Sequence, residues 1–268
     1  TLNVVESAGS LENFIGVRKR RNTQFGIVQS DVLEYLKTFE KGDAEVQDAV
    51  RGVKIMFPLY DEEVHVLARA DIAGVRDLAG KKVGFSVGGV EEAVLGAILT
   101  HHGLSLDDVE LVNINWSLSP SLMSGQVDAV IGAFRNFELN QMDIEGVDGT
   151  CFYVEEEGLP PYDELIYVAN RDTMDKDMIA RFLAATEKAT QYIVNHPEES
   201  WEVFAATSAD LQDELNARAW KDTLPRFALR PTAMDAGRYA TFETFLHDAG
   251  LIPDISPVST IAIDVTAR

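Results

Sequence analysis

The chain has 268 residues, 46% of them hydrophobic, with 44 acidic against 23 basic side chains and a formal net charge of −21. That length and apolar content suffice for two lobes of ordinary size and argue against general disorder. So acidic a surface serves solubility and disfavours nucleic acid or anionic lipid as partners, and the single cysteine, Cys151, excludes an internal disulfide.

In chain order, residues 2–6 alternate like a strand, Ser7-Ala8-Gly9-Ser10 reads as a turn, and residues 11–20 carry a helical apolar pattern. A strand at 25–28 ends in Gln29-Ser30, and Asp31 is placed to cap a helix over 32–39. Strands at 53–57 and 63–68 are joined through Pro58-Leu59-Tyr60-Asp61-Glu62. A strand at 83–85, a helix at 90–102, strands at 109–114 and 128–134, short helices at 120–124 and 137–142, and a strand at 151–154 then alternate. This alternation predicts a mostly parallel sheet with helices on both faces. A strand over 162–169 matches the one at 63–68, and these two are expected to cross between lobes. Beyond residue 176 the chain reads as helices, broken at His196-Pro197 and ended by Gly250. The expected division is 1–80 plus 166–268 as a discontinuous first lobe and 81–165 as the second, with a ligand cleft between them. No run approaches the ~18 apolar residues of a membrane helix, and no charged-then-apolar leader opens the chain.

Val83-Gly84-Phe85-Ser86-Val87-Gly88-Gly89 runs from a strand through small residues into a helix start. Backbone N–H groups at such a junction can meet the polar end of a ligand, and Gly88 and Gly89 admit close approach. The same pattern is also that of an ordinary structural turn. Cys151 sits in an apolar run and reads as a packed strand residue rather than a nucleophile. The histidines do not cluster, and no phosphate-binding loop, nucleophile elbow or metal motif is present. No cofactor or metal is expected.

From residue 77 to about 263 the chain resembles the hydroxymethylpyrimidine-binding group of the thiamine-precursor (NMT1/THI5-like) family of importer substrate-binding proteins. The resemblance rests on the run just quoted, on Asn115-Trp116-Ser117-Leu118-Ser119-Pro120-Ser121-Leu122, on Asp128-Ala129-Val130-Ile131-Gly132-Ala133-Phe134-Arg135-Asn136-Phe137-Glu138, and on Pro161-Tyr162-Asp163-Glu164-Leu165. The first ~70 residues resemble instead the TAXI family of TRAP-transporter solute receptors, through Gly9-Ser10-Leu11-Glu12-Asn13, Phe25-Gly26-Ile27-Val28-Gln29-Ser30-Asp31 and Pro58-Leu59-Tyr60. Both resemblances imply a type II periplasmic-binding-protein fold of two α/β lobes. By these resemblances the chain is expected to be a hybrid, natural or engineered, whose first lobe lacks the strand and helix that open both families.

The resemblance implies a non-enzymatic, periplasmic ABC-transporter component whose leader has been removed, with a small-molecule ligand and a membrane permease as partners. A small pyrimidine needs an aromatic face, an acceptor for its amine and hydrogen-bond donors. Phe134 or Phe137 would stack on it, Asn136 would pair with a ring nitrogen, Glu138 would accept from the amine, and Arg135 would meet a hydroxyl or phosphate. Ser86, Gly88 and Gly89 would hold its polar end. Tyr162 and Glu164 would line the cleft from the crossing strand, and Ser7, Gly9, Ser10, Gln29, Ser30 and Tyr60 would face it from the first lobe. Helix capping, a core Phe137 and a solvated Glu138 are the competing readings. The TAXI-like opening implies a small carboxylate as the alternative ligand, and a recombined chain with little binding activity is a further alternative. A cysteine-rich motif, as in pyrimidine-making relatives, is lacking. A shortened first lobe with an open strand edge would favour oligomerisation.

Overall fold

A computed structural model of the chain describes residues 2–60, 64–86, 90–230 and 234–264. Among them run the strands β1 (Phe25–Gln29), β2 (Val53–Pro58), β3 (Val64–Arg69), β4 (Lys82–Phe85), β5 (Glu110–Asn113), β6 (Ala129–Phe134), β7 (Gly149–Phe152) and β8 (Leu165–Asn170). They form two sheets, ordered β1-β8-β2 and β5-β4-β6-β3-β7. The chain divides accordingly into one unit of Thr1–Glu62, Tyr162–Gln191 and Phe227–Arg268, and a second of Glu63–Pro161 and Tyr192–Arg226.

In the first unit β8 is the central strand, antiparallel to β1 from Phe25↔Ala169 to Gln29↔Leu165 and to β2 from Val53↔Asn170 to Pro58↔Ile166. Its period-two pattern sends Ile166 and Val168 to one face, against Phe14, Val17, Val28 and Val50. Ala169 and Tyr167 go to the other, with Phe57, Ile179, Leu183 and Phe182. There Phe57 stacks on Tyr167 at 4.6 Å and Phe25 on Phe182 at 4.5 Å. Burying one such aromatic side chain contributes about 1.5–3 kcal/mol. Gly26 is required by close approach: a Cβ there would lie 2.8 Å from Val17 Cγ2 of the helix Ser10–Lys19.

That helix also decides the fate of the sheet edge. On the outer side of β1, Ile27 C=O accepts from Asn13 Nδ2 at 2.7 Å and the Gln29 N–H donates to Ser10 Oγ at 3.0 Å. At the opposite edge Ile263 N–H donates to Ile55 C=O at 2.9 Å, beside a bridge from Ile55 to Ala262. Both edges of the three-stranded sheet therefore meet partners from this chain at these positions, which narrows the open edge expected of a shortened lobe. The strand expected over 2–6 does not form. Leu2, Val4 and Val5 alternate in sequence but stand exposed, because side chains of the helix already occupy the edge of β1.

In the second unit β4 runs parallel to β5 and β6, while β3 lies antiparallel between β6 and β7. The sheet is thus mixed rather than mostly parallel. The pairing of β3 also moves the boundary. The second unit begins at Glu63 instead of near 81 and ends at Pro161. Residues 192–226, expected in the first lobe, pack on the second unit through Arg218 to Asp143, Asn140 Nδ2 to Asp222 Oδ2 at 2.7 Å, and Asn136 Nδ2 to Thr223 Oγ1 at 2.9 Å. The helix Val90–His101 buries Leu95, Ile98 and Leu99, and Leu118, Leu122, Val130, Ala133 and Met142 close the core on the sheet. Pro197 opens a helix, as expected, at Pro197–Ala205. The helix Ala44–Arg51 was not expected, although Asp43 caps it by accepting from the N–H groups of Glu45 and Val46. Helix Ser30–Phe39 starts one residue before Asp31, which therefore lies in its first turn and is not its cap residue.

Candidate functional site

The parallel strands of the second unit end together, so the residues following β4, β5 and β6 share one edge of the sheet with the start of β3 and the end of β7. Ligands of open α/β sheets bind at this carboxyl edge. Ser86 follows β4. Its N–H donates to Glu91 Oε2 at 2.7 Å, and its Oγ accepts from the Trp116 N–H at 3.2 Å. The Ser86 amide is therefore taken by Glu91 rather than turned to a ligand, and the hydroxyl proton is what Ser86 offers. Gly88 and Gly89 lie outside the described residues. Gly132, at φ +96°, makes room for Glu91: a Cβ there would lie 2.5 Å from Glu91 Oε1.

Behind β6 come Arg135, Asn136 and Glu138. The Arg135 guanidinium sits 4.4 Å from the Tyr153 ring centroid and pairs with Glu155 at 3.0 Å, so the group expected to meet a phosphate is already engaged. Asn136 donates from Nδ2 to Thr223 Oγ1, whose own hydroxyl donates to Ala219 C=O at 2.7 Å. Because that hydroxyl proton is spent, Thr223 accepts from Asn136, which fixes the amide orientation. Asn136 Oδ1 is left buried with no hydrogen-bond partner. Glu138 turns back, its Oε2 accepting from the Phe134 N–H at 2.7 Å. Phe134 and Phe137 are half-buried. Beside them His65 is fully buried, edge-on to Tyr153 at 5.3 Å, with Nδ1 accepting from the Val154 N–H at 3.3 Å.

Burial pushes the Glu138 carboxyl up, against the pull of the Phe134 amide. A carboxyl raised in the folded state helps folding below its unfolded value and loses that help as pH rises through the folded one. Glu138→Gln should therefore be more stable than the wild type at pH 7 and gain little at pH 4, since the amide carbonyl still accepts from Phe134. Urea denaturation of both proteins at the two pH values checks this. Equal differences at both would show a carboxyl with no shift.

In the first unit the expected residues mostly serve the fold. Ser10 and Gln29 bond to each other, and Ser30 donates from its hydroxyl to Asp163 C=O and from its N–H to Glu164 C=O. Gly9, at φ +121°, precedes the first helix, and Ser7 is exposed with its Oγ 3.5 Å from the Gly9 N. Tyr60 bridges to Phe227. Tyr162 and Glu164, expected to line a cleft, are both buried, Tyr162 stacked on Phe242 at 4.2 Å. The strand expected to carry them begins only at Leu165, so they belong to the turn packed beneath it. A cavity of about 290 Å³ opens at the other end of this sheet, lined among others by Arg18, Arg21, Phe25, Met174 and Met178. None of the sequence-predicted site residues that are described lines it.

Sequence reasoning missed Glu91, Tyr153 and Thr223. Only Tyr153 had a local signal, as an aromatic at a strand end. Among the described residues no cluster of His, Cys, Asp and Glu is suited to a metal, and no helix is long and apolar enough to cross a membrane.

A protein of Haemophilus influenzae named for thiamine biosynthesis is 48% identical over 215 residues, covering 80% of this chain and 68% of its own. The formylaminopyrimidine-binding protein of Halalkalibacterium halodurans is 31% identical over 155 residues, 57% of this chain and 46% of that one. More distantly, a Candida albicans 4-amino-5-hydroxymethyl-2-methylpyrimidine phosphate synthase is 24% identical over 157 residues, 54% of this chain and 46% of its own. The present chain spans about half the length of these last two. Among solved structures, the periplasmic aliphatic sulphonate binding protein of Escherichia coli superposes with a TM-score of 0.70 at 16% identity, covering 97% of this chain and 81% of that one. The fold is thus the α/β periplasmic-binding-protein fold. The sequence model described as NMT1/THI5 like matches residues 49–200, more than half the chain, and with the Haemophilus identity it shows that this chain belongs to the NMT1/THI5-like family.

Proposed function

We propose that the chain is a solute-binding protein, working outside the cytoplasm, that captures a small aminopyrimidine precursor of thiamine and hands it to the membrane permease of an importer. The observation that carries this reading is Asn136 Oδ1, a buried acceptor without a partner at the carboxyl edge of the second sheet. An unmatched buried acceptor costs about 1–3 kcal/mol. The exocyclic amine of an aminopyrimidine is a donor of the kind it lacks, and the Ser86 hydroxyl at the same edge offers a donor for a ring nitrogen. The formylaminopyrimidine for which the Halalkalibacterium relative is named supports the same ligand class. A synthase role finds less support: the whole chain contains one cysteine, partly buried in β7.

The roles first assigned to Asn136 and Glu138 shift accordingly. Asn136 becomes the acceptor for the amine, and Glu138, with one oxygen on the Phe134 N–H, holds the turn after β6. Calorimetry with 4-amino-5-hydroxymethyl-2-methylpyrimidine, its formylamino relative and succinate tests the reading, together with mass spectrometry of ligand released on denaturation. A pyrimidine should bind, and Asn136→Ala should weaken it about tenfold by leaving the amine unpaired. Binding of succinate alone would move the assignment to a carboxylate receptor.

A further inference from the structure

The geometry points to Trp116 as the platform on which the ring of the ligand stacks, an inference that rests on the pyrimidine reading above. Asn115 and Trp116 both adopt left-handed backbone, at φ +48° and +68°. Asn tolerates that conformation better than other L residues, but a bulky residue such as Trp there is a genuine outlier. Such strain persists where the surroundings over-determine it, commonly at ligand sites.

Here three backbone N–H groups clamp the turn. Asn115 donates to Asn113 Oδ1 at 3.0 Å, Trp116 to Ser86 Oγ at 3.2 Å, and Ser117 to Ile114 C=O at 2.9 Å. The strain is not compensated by burial of the side chain, since Trp116 is 70% exposed. The other two tryptophans behave differently. Trp201 and Trp220 pack on each other and on Phe204, and the Trp220 indole N–H bonds to Pro197 C=O at 3.1 Å.

The clamp thus holds one large aromatic face out into solvent at the edge where Ser86 and Asn136 stand. Trp116 follows β5, Ser86 follows β4 and Asn136 follows β6, with β4 between the other two. The turns after β5 and β6 are therefore about two strand spacings, or ~10 Å, apart. One wall offers an indole face, the other an amide acceptor, and Ser86 lies between, tied to the first by its own hydrogen bond. A flat heteroaromatic ring carrying an amine matches this sequence of groups.

The test titrates 4-amino-5-hydroxymethyl-2-methylpyrimidine into the wild type, Trp116→Ala and Trp116→Phe, read by calorimetry and by tryptophan fluorescence. The wild type should bind with a change in indole emission. Trp116→Ala should weaken binding on the order of tenfold, the scale of base stacking on an aromatic side chain, with an unchanged melting temperature. Trp116→Phe should recover most of the affinity and lose the emission change, because Trp201 and Trp220 do not report it. Wild-type affinity in Trp116→Ala, or an emission change that survives in Trp116→Phe, overturns the platform while leaving the pyrimidine reading in place. A wild type that binds no pyrimidine overturns both.

Discussion

Acidification from pH 6.5 to 3 should remove stability on the order of 4–5 kcal/mol through one side chain, His65. Burial, then the charges of Arg135 and Arg226, pushes its imidazole from 6.5 down to about 3. Each pH unit of such a difference is worth about 1.36 kcal/mol. The folded state holds His65 neutral, while the unfolded chain takes up a proton below 6.5. The contribution is therefore intact above pH 6.5 and is lost as pH falls toward the folded value. The structural cause is burial among groups that do not favour a cation: Nδ1 accepts from the Val154 N–H, Tyr153 presents its ring edge-on, and the Arg135 guanidinium lies over that tyrosine. Glu155, the acidic group at this point, is paired with Arg135. The many carboxylates of the chain also titrate in this range, so the measurement is a difference. His65→Asn keeps an acceptor for Val154 and removes the titration. Its stability at pH 8 should drop modestly, and its urea midpoint should fall less steeply than that of the wild type between pH 6.5 and 4. Parallel curves would show that His65 does not titrate with folding.

What the sequence made legible, and what it did not, follows from the range of the interactions. The strand ending at Phe85 and the helix beginning at Val90 were readable because each depends on neighbours along the chain. The same holds for the polar cluster behind β6 and for Pro197 at a helix start. The partners were not readable. Asn136 meets Thr223 across 87 positions of sequence, and nothing local marks residues 192–226 as belonging with the second sheet. The alternation at 2–6 was a real pattern without a strand to pair with, since period two states which residues share a face but not whether a neighbour exists. Tyr162 and Glu164 failed for a related reason. They were read as part of the strand, which begins only at Leu165, and their surroundings are set by Phe242 and by Ser30, far away along the chain. The periplasmic-binding fold was thus accessible from resemblance and alternation together. The state of each site side chain required the sheet orders.

Arg238→Met should lower the stability of the first unit by about 3 kcal/mol. Asp163 keeps only 3% of its side chain exposed and pairs with Arg238 Nη1 at 2.7 Å, the arginine itself being 28% exposed. Removing one member of a buried pair leaves the other charge in a medium that solvates it poorly, a loss of about 3–5 kcal/mol. The lower end applies here because the arginine is partly open to water. The neighbour that could stand in for the arginine is a phenol, not a cation. The Tyr239 hydroxyl is pushed up by burial first and then by the charge of Asp163, so it stays protonated and neutral beside the carboxylate. The Asp163 backbone is meanwhile held where it is, its C=O accepting from the Ser30 hydroxyl and the next C=O from the Ser30 N–H. The carboxylate therefore cannot swing out to water without breaking the junction between Gln29 and β8. The double variant Arg238→Met with Asp163→Asn separates the charge from the packing. If the penalty is that of a carboxylate deprived of its cation, the second substitution should recover about half of the loss in urea denaturation at pH 7. If the double variant is instead as unstable as the sum of its two single variants, the arginine acts through the packing of its aliphatic stem, and the ion pair contributes nothing measurable to the fold.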